Sequence, residues 1–129
     1  YYFYSFFRLK KNNISFSVPT GNFGDIYAGY VAKKMGLPIN KLIVATNKND
    51  ILQRVINTGE YKPDKVKATI TPSMDIQIPS SLERLIFDLE GDTSSFYDQL
   101  QNEKLATLNE DAAKKLQSIF SSKSLATFV

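Results

Sequence analysis

The sequence predicts an α/β fold in which helices wind a parallel β-sheet. Helix-like and strand-like patterns alternate along the chain, as expected when each strand returns to the sheet through a helix. Residues 42–45 form a short continuous apolar run, which is typical of a parallel strand covered on both faces. Gly36, Gly59 and Gly91 follow three helical patterns, where left-handed helix ends favour glycine.

The first part of the chain predicts a helix, a strand and a second helix. Residues 1–10 carry six aromatic side chains among the first seven positions and cations near the end, which favours the end of a buried helix. Residues 14–18 alternate apolar and polar side chains and predict a strand. A loop at residues 19–24 leads into an amphipathic helix at residues 25–35. Because so aromatic a start is unusual for a free terminus, we expect residues 1–129 to be one partial domain of a larger protein.

The middle of the chain predicts a third helix and a third strand. Asn49 is expected to cap the helix after the apolar run, and Gly59 ends it. Residues 66–71 read VKATIT, which is strand-like, and a loop bounded by prolines follows at residues 72–79.

The last part of the chain predicts helices. Ser80 or Ser81 is expected to cap a helix that runs to about Leu89. Residues 92–129 are expected to be a helical segment, with Asn109 as a cap inside it. With this order of elements, every strand-to-helix loop opens on the carboxyl edge of the sheet, where such sheets usually bind ligands.

The composition excludes several classes of site. The 129 residues contain no cysteine and no histidine, so they provide no disulfide, no zinc–thiolate site and no serine–histidine triad. The net charge of +3 is mild and scattered, which argues against a nucleic-acid partner. No apolar run approaches the roughly 20 residues that span a membrane, and no signal peptide is visible. We therefore expect a cytoplasmic protein with no metal site, no nucleic-acid partner and no membrane partner.

The segment SVPTGNFGDIYAG, at residues 17–29, raises the possibility of a phosphate site. Gly21 and Gly24 stand where a strand should turn into a helix, and glycine lets the backbone approach a ligand closely. The first amides of the helix and its dipole favour an anion, while Thr20 and Asn22 add side-chain donors. The pattern is neither GxxxxGK[ST] nor GxGxxG, so spacing alone leaves two interpretations open: a phosphate site, or an ordinary glycine turn with a helix cap.

The surrounding residues resemble the threonine synthase family. Similarity to the phosphate-binding segment of this family is carried by FSVPTGNFGDIYAGYVAKKMGLP. It continues through LIVATNKNDIL, RVINTGEY and TPSMDIQIPSSLERLIFDL, so that it covers residues 14–89 closely. The opening YYFYSFFRL resembles the aromatic helix before the loop, and the resemblance fades after Gly91. The resemblance implies a pyridoxal 5'-phosphate (PLP) enzyme of the tryptophan-synthase-β-like fold, which is fold type II.

The resemblance also implies a cofactor-binding role for the glycine loop. In the family, the matching loop wraps the phosphate of PLP through main-chain amides. Asp25 is expected to hold the loop rather than to touch the phosphate, because a carboxylate and a phosphate repel each other. The residues expected to bind the cofactor are Thr20, Gly21, Asn22, Phe23 and Gly24.

Three further residues are expected near the substrate. Ser73 and Asp75 lie in the loop after the third predicted strand, and Asn47 lies in the loop after the second, both at the carboxyl edge. For Asn47 the alternative interpretation is a capped helix start. The chain is expected to contain no catalytic residue of its own. In the family the Schiff-base lysine lies upstream of the aromatic helix, and the group that contacts the pyridine nitrogen lies downstream.

The whole enzyme implied by this resemblance converts O-phosphohomoserine and water to threonine and inorganic phosphate. Its partners would be this small-molecule substrate and the rest of the same enzyme. Two alternatives remain. One is another fold type II lyase, similar to threonine dehydratase or cysteine synthase, although those enzymes often carry consecutive glycines in this loop. The other is a non-catalytic relic that binds a phosphate ligand, which a Schiff-base lysine upstream of Tyr1 would exclude.

Overall fold

The computed structural model describes residues 1–124, which form an α/β fold with helices packed on a parallel sheet, as predicted. No helix in this described part is long and apolar enough to cross a membrane. The helices are α1 Tyr2–Leu9, α2 Gly24–Lys34, α3 Ile51–Thr58, α4 Leu82–Glu90, α5 Ser94–Glu103 and α6 Glu110–Ile119. The strands are β1 Ile14–Pro19, β2 Ile39–Thr46, β3 Glu60–Tyr61, β4 Ala106–Thr107 and β5 Phe120–Ser124, and a 3₁₀ turn spans Pro72–Met74.

The parallel sheet has the order β1-β2-β5, with β2 in the centre. Pro19 of β1 lies opposite Ala45 of β2, and Leu42 of β2 lies opposite Phe120 of β5. At the ends of β1 and β2, the Thr20 amide donates a hydrogen bond to the Ala45 carbonyl at 3.2 Å. Because these strands run in the same direction, the loops that follow β1 and β2 open side by side at the carboxyl edge.

The core lies between the sheet and the helices. Ile26 of α2, Leu42 of β2 and Leu85 of α4 are all fully buried, and each such side chain stabilises the fold by about 1.5–3 kcal/mol. Helix α2 approaches β2 closely at Gly29, where a Cβ would stand 2.9 Å from the Leu42 side chain and 2.7 Å from the Tyr2 ring. The Tyr2 hydroxyl of α1 donates to the Asp25 carbonyl at 2.8 Å, so α1 supports the start of α2.

The predicted strand at residues 66–71 is wrong. Within the described chain this segment has no strand partner, and polar side chains bind its backbone instead. The Asn49 side chain accepts from the Lys67 amide and donates to the Lys67 carbonyl, both at 2.8 Å. The Thr69 amide donates to the Asp75 carboxylate at 2.8 Å. The alternating side chains of this segment predicted a strand, but they could not show that side chains, rather than a neighbouring strand, bind its backbone.

The third strand of the sheet is β5, which lies inside the helical segment predicted at residues 92–129. That segment does contain α5 and α6, but β4 separates them and β5 follows α6 directly. Strand β5 reads FSSKS, and only Phe120 is apolar, so its strand signal is weak. Residues 125–129 of the predicted segment lie outside the described residues.

The predicted helix ends are confirmed in part. The three glycines that follow helical patterns have φ angles of 99°, 76° and 79°. The Asn109 side chain caps α6 by accepting from the Ala112 amide at 2.8 Å. The prediction that Asn49 caps α3 is wrong, because Asp50 stands at the N-cap of this helix. The Asn49 side-chain amide donates to the Lys67 carbonyl instead. Ser81 stands at the N-cap of α4, but its hydroxyl makes no capping hydrogen bond.

Candidate functional site

The glycine loop, residues 19–24, joins β1 to α2 at the carboxyl edge of the sheet. At the start of α2 the Tyr27 amide donates to the Phe23 carbonyl at 2.9 Å, and the Ile26 amide donates to the Asp25 carboxylate at 2.8 Å. The amides of Gly24 and Asp25 come earlier and have no acceptor among residues 1–124. Together with the positive end of the α2 dipole, these amides provide donors of the kind that bind an anion.

Phe23 fixes the shape of the glycine loop. Its side chain is 0% exposed, and its ring centroid lies 5.5 Å from that of Phe120. Its φ of 74° is left-handed, a conformation that costs a non-glycine residue about 1–2 kcal/mol. The buried ring holds the backbone in this conformation, so Phe23 presents only its main chain to the surface of the loop.

The two glycines of the loop have different neighbours. A Cβ on Gly21 would stand 2.7 Å from the Ser73 carbonyl oxygen and 2.8 Å from the Ile76 side chain. A Cβ on Gly24 would stand 3.3 Å from the Ser81 hydroxyl. Neither glycine adopts a positive φ, so the left-handed residue of the loop is the buried phenylalanine. Gly21 is therefore required by the close packing of another segment, whereas Gly24 borders a side chain that can rotate.

Asp25 holds the glycine loop from within, as the sequence analysis expects. Its carboxylate accepts hydrogen bonds from the Thr20 hydroxyl and from the Ile26 amide. Thr20 is only 3% exposed and uses its hydroxyl proton in this contact. Asn22, by contrast, is exposed. Of the two side-chain donors expected to reach a ligand, Asn22 is therefore the one that the fold leaves accessible, and a contact from Thr20 stays a prediction.

Ser81, which the sequence predicts only as a possible helix cap, lies beside the glycine loop. Its amide donates to the Asn22 carbonyl at 3.0 Å, so the glycine loop and the residue before α4 meet here. A cavity of about 550 Å³ opens between these helices, and Tyr27, Ser80 and Ser81 contribute to its wall. Asn22 and Ser81 lie far apart in the sequence, so no motif spacing signalled this contact.

The residues predicted on the substrate side fall into two groups. Asn47 and Asp75 contact each other, with the Asn47 amide nitrogen donating to Asp75 Oδ1 at 2.8 Å, and Asn47 is 1% exposed. Ser73 is exposed, and its carbonyl packs against Gly21. The structure thus brings the third loop next to the glycine loop even though no strand precedes it.

The Asp75 carboxylate is surrounded by donors. The hydroxyl and the amide of Thr69 donate to it, and the side-chain amides of Asn47 and Asn49 donate as well. These hydrogen bonds, led by that from the Thr69 hydroxyl, lower the pKa of Asp75 below its usual value because they stabilise the charged form.

Two further observations concern polar groups at this edge. The Thr46 hydroxyl at the end of β2 is buried and has no hydrogen-bond partner among the described residues. No cluster of three or more metal-ligating side chains occurs in residues 1–124. The donors that the loops provide are amides and hydroxyls, which suit an anion.

The chain is similar in sequence and in structure to threonine synthases. No family model matches the chain. The chain is 53% identical to threonine synthase of Pseudomonas aeruginosa over 93 residues, which is 70% of this chain and 20% of that protein. It is 57% identical to threonine synthase of Saccharomyces cerevisiae over 94 residues, 69% of this chain and 18% of that protein. The PLP-bound threonine synthase structure from Brucella melitensis matches with a TM-score of 0.90 and 46% identity, over 96% of this chain and 28% of that one. The chain spans about a fifth of the length of these curated relatives.

Proposed function

We propose, since the chain is homologous to a segment of the threonine synthases, that it forms the part of such an enzyme that binds the phosphate group of PLP. The observation that carries the proposal is the glycine loop at the start of α2. There the amides of Gly24 and Asp25 have no protein acceptor among the described residues. The sequence GNFGD, which carries the resemblance to the family, is the same stretch.

The residues present fit a phosphate group. Gly24 places no side chain at the start of α2, so a ligand can approach the backbone there. The helix dipole of α2 adds a favourable potential for negative charge at this end. The Asp25 carboxylate accepts hydrogen bonds from the Thr20 hydroxyl and the Ile26 amide, which hold it within the loop.

The chemistry proposed for the whole enzyme is the conversion of O-phosphohomoserine and water to threonine and inorganic phosphate. When bound, PLP supplies an electron sink for carbanions formed on the substrate. The glycine loop holds the phosphate end of the group, and this fixed position preserves the orientation on which the reaction depends. The Schiff-base lysine and the contact to the pyridine nitrogen come from the rest of the enzyme, and we place the enzyme in the cytoplasm.

Binding of PLP by the complete apoenzyme tests this proposal. We expect pyridoxal, which lacks the phosphate, to bind at least about a hundredfold more weakly than PLP, because each hydrogen bond to a charged group is worth about 1.5–3 kcal/mol. Titration followed by visible absorbance measures both affinities, and equal affinities would contradict a phosphate site in this loop. Conversion of threonine to 2-oxobutanoate, without threonine formation from O-phosphohomoserine, would instead indicate a dehydratase.

The isolated chain of 129 residues is expected to be catalytically inactive. The reason is that the Schiff-base lysine and the substrate pocket are expected in other parts of the enzyme. The measurement is threonine formation from O-phosphohomoserine by the purified chain with added PLP, compared with the complete enzyme at equal molarity. Turnover by the isolated chain above the rate with PLP alone would show that it holds a complete site.

A further inference from the structure

Five polar residues form a connected cluster between the loop after β2 and the segment before α4. Asn47 and Asn49, which are 1% and 3% exposed, lie at its centre. The Asn47 side-chain nitrogen lies 2.8–2.9 Å from Asp75 Oδ1, from the Thr69 hydroxyl and from the Thr71 hydroxyl, and its two hydrogens are shared among these three acceptors. The Asn47 side-chain oxygen accepts from the Asn49 amide at 2.8 Å. We call this set, Asn47, Asn49, Thr69, Thr71 and Asp75, the Asn47–Asp75 cluster.

Both oxygens of the Asp75 carboxylate are committed within the cluster. Oδ1 accepts from Asn47 at 2.8 Å, from Asn49 at 3.0 Å and from the Thr69 hydroxyl at 2.7 Å. Oδ2 accepts from the Thr69 amide at 2.8 Å. The carboxylate thereby joins the Asn47 and Asn49 side chains to the backbone and the hydroxyl of Thr69.

The cluster anchors the 71–77 loop, which begins with the 3₁₀ turn. The turn is tightened by hydrogen bonds from the Met74 amide to the Thr71 carbonyl at 2.9 Å and from the Asp75 amide to the Pro72 carbonyl at 3.2 Å. At its other end the buried Gln77 accepts from the Arg54 guanidinium at 3.3 Å. The loop is thus held at both ends and cannot shift without breaking one of these anchors.

The 71–77 loop in turn packs on the backbone of the glycine loop. The space that a Cβ on Gly21 would fill is taken by the Ser73 carbonyl oxygen, the Ile76 side chain and Met74 Cα, at 2.7, 2.8 and 3.2 Å. Because these atoms occupy the space beside Gly21 that a side chain would need, the two loops are closely packed and the position of one sets the position of the other. The chain of contacts runs from Asp75, through the 71–77 loop, to Gly21.

We propose that Asn47 and Asp75 are positioning residues for the phosphate loop of the PLP site, and that they act through the packing of the 71–77 loop on Gly21. The proposal rests on the proposed function of the glycine loop and replaces the expectation that these two side chains contact the substrate. Ser73 joins the two loops through its main chain. The commitment of both Asp75 oxygens to internal donors supports a positioning role.

The test compares the complete enzyme with its Asp75→Ala variant. We expect the Kd for PLP, measured by titration of the apoenzyme, to rise about tenfold or more, the factor that one hydrogen bond to a charged group represents. The KM for O-phosphohomoserine, measured at saturating PLP, should stay within about twofold of the wild-type value. Asp75→Asn keeps one acceptor oxygen and should restore part of the PLP affinity. Asp64→Asn, which alters a carboxylate outside the cluster on the neighbouring segment, is the matched control and should change neither value.

Three other outcomes would contradict the inference, and each gives a different pattern of Kd and KM values. A raised KM with an unchanged Kd for PLP would make Asp75 a substrate contact. A lower melting temperature with both values unchanged would make the cluster merely structural. If Asp75→Ala does not fold, Thr71→Val takes its place, because it removes one acceptor of Asn47 with little change in shape. We expect a smaller rise in the Kd for PLP and an unchanged KM for O-phosphohomoserine. An unchanged Kd for PLP in this variant would overturn the inference. Failure of the wild-type apoenzyme to bind PLP would reject the proposed function itself.

Discussion

The variant Gly21→Ala is expected to bind PLP about two to four powers of ten more weakly than the wild-type complete enzyme, since two charge-assisted hydrogen bonds worth about 1.5–3 kcal/mol each would be lost. The added Cβ would stand 2.7 Å from the Ser73 carbonyl oxygen and 2.8 Å from the Ile76 side chain, so the backbone must shift. The 71–77 loop is anchored at both ends, and we therefore expect the glycine loop to move. That movement turns its amides away from the phosphate.

Gly24→Ala is the matched control for this prediction. Its Cβ would meet the Ser81 side chain, with the hydroxyl at 3.3 Å and the Cβ at 3.9 Å, and the serine hydroxyl can rotate away. We expect a small loss of PLP affinity for this variant and a larger one for Gly24→Val, whose branched side chain needs more room. Asn22→Ala should also weaken binding mildly, because it removes one exposed side chain and leaves the backbone path intact. The measurement is spectroscopic titration of each apoenzyme with PLP. Unchanged affinity in a folded Gly21→Ala enzyme would mean that the loop is only a turn.

The elements before residue 60 were predictable because their signals are local. A strand that alternates, glycines at two helix ends and a buried apolar strand each depend on a few consecutive residues. The errors at residues 66–71 and in β5 have a different cause. Whether a short polar or mixed segment becomes a strand depends on which backbone lies beside it. The backbone of residues 66–71 forms hydrogen bonds with the Asn49 and Asp75 side chains instead of with a strand. The backbone of β5 pairs with β2.

The place of the glycine loop between β1 and α2 could be predicted, but its internal contacts could not. The glycine spacing and the resemblance predicted the loop at the start of α2, and the carboxyl-edge argument placed the second and third loops near it. The sequence could not show that the left-handed residue is Phe23, because this depends on the distant partner Phe120. Nor could it show that the Asp75 carboxylate accepts hydrogen bonds from Thr69 and from two asparagines, since hydrogen bonds between loops have no periodicity.

The variant Phe23→Ala is expected to lower the free energy of unfolding by about 3–5 kcal/mol, as large-to-small substitutions of fully buried aromatic residues do. Phe23 is 0% exposed, and its ring packs 5.5 Å from that of Phe120, so truncation leaves a cavity between α2 and β5. Alanine also keeps the cost of the left-handed φ of 74° without the buried ring that maintains it. The loop backbone should then relax toward ordinary φ values, and PLP affinity should fall together with stability.

Chemical denaturation of the complete apoenzyme, followed by titration with PLP, measures both effects. Phe23→Leu is the control, since it retains most of the buried volume and the same backbone conformation, and we expect it to cost less than half as much stability as Phe23→Ala. If packing of the ring holds the loop, the two variants should rank in the same order for stability and for PLP affinity. Normal PLP affinity in a destabilised Phe23→Ala enzyme would show that the loop keeps its shape without the ring, and that the amides of Gly24 and Asp25 are positioned by the 71–77 loop alone.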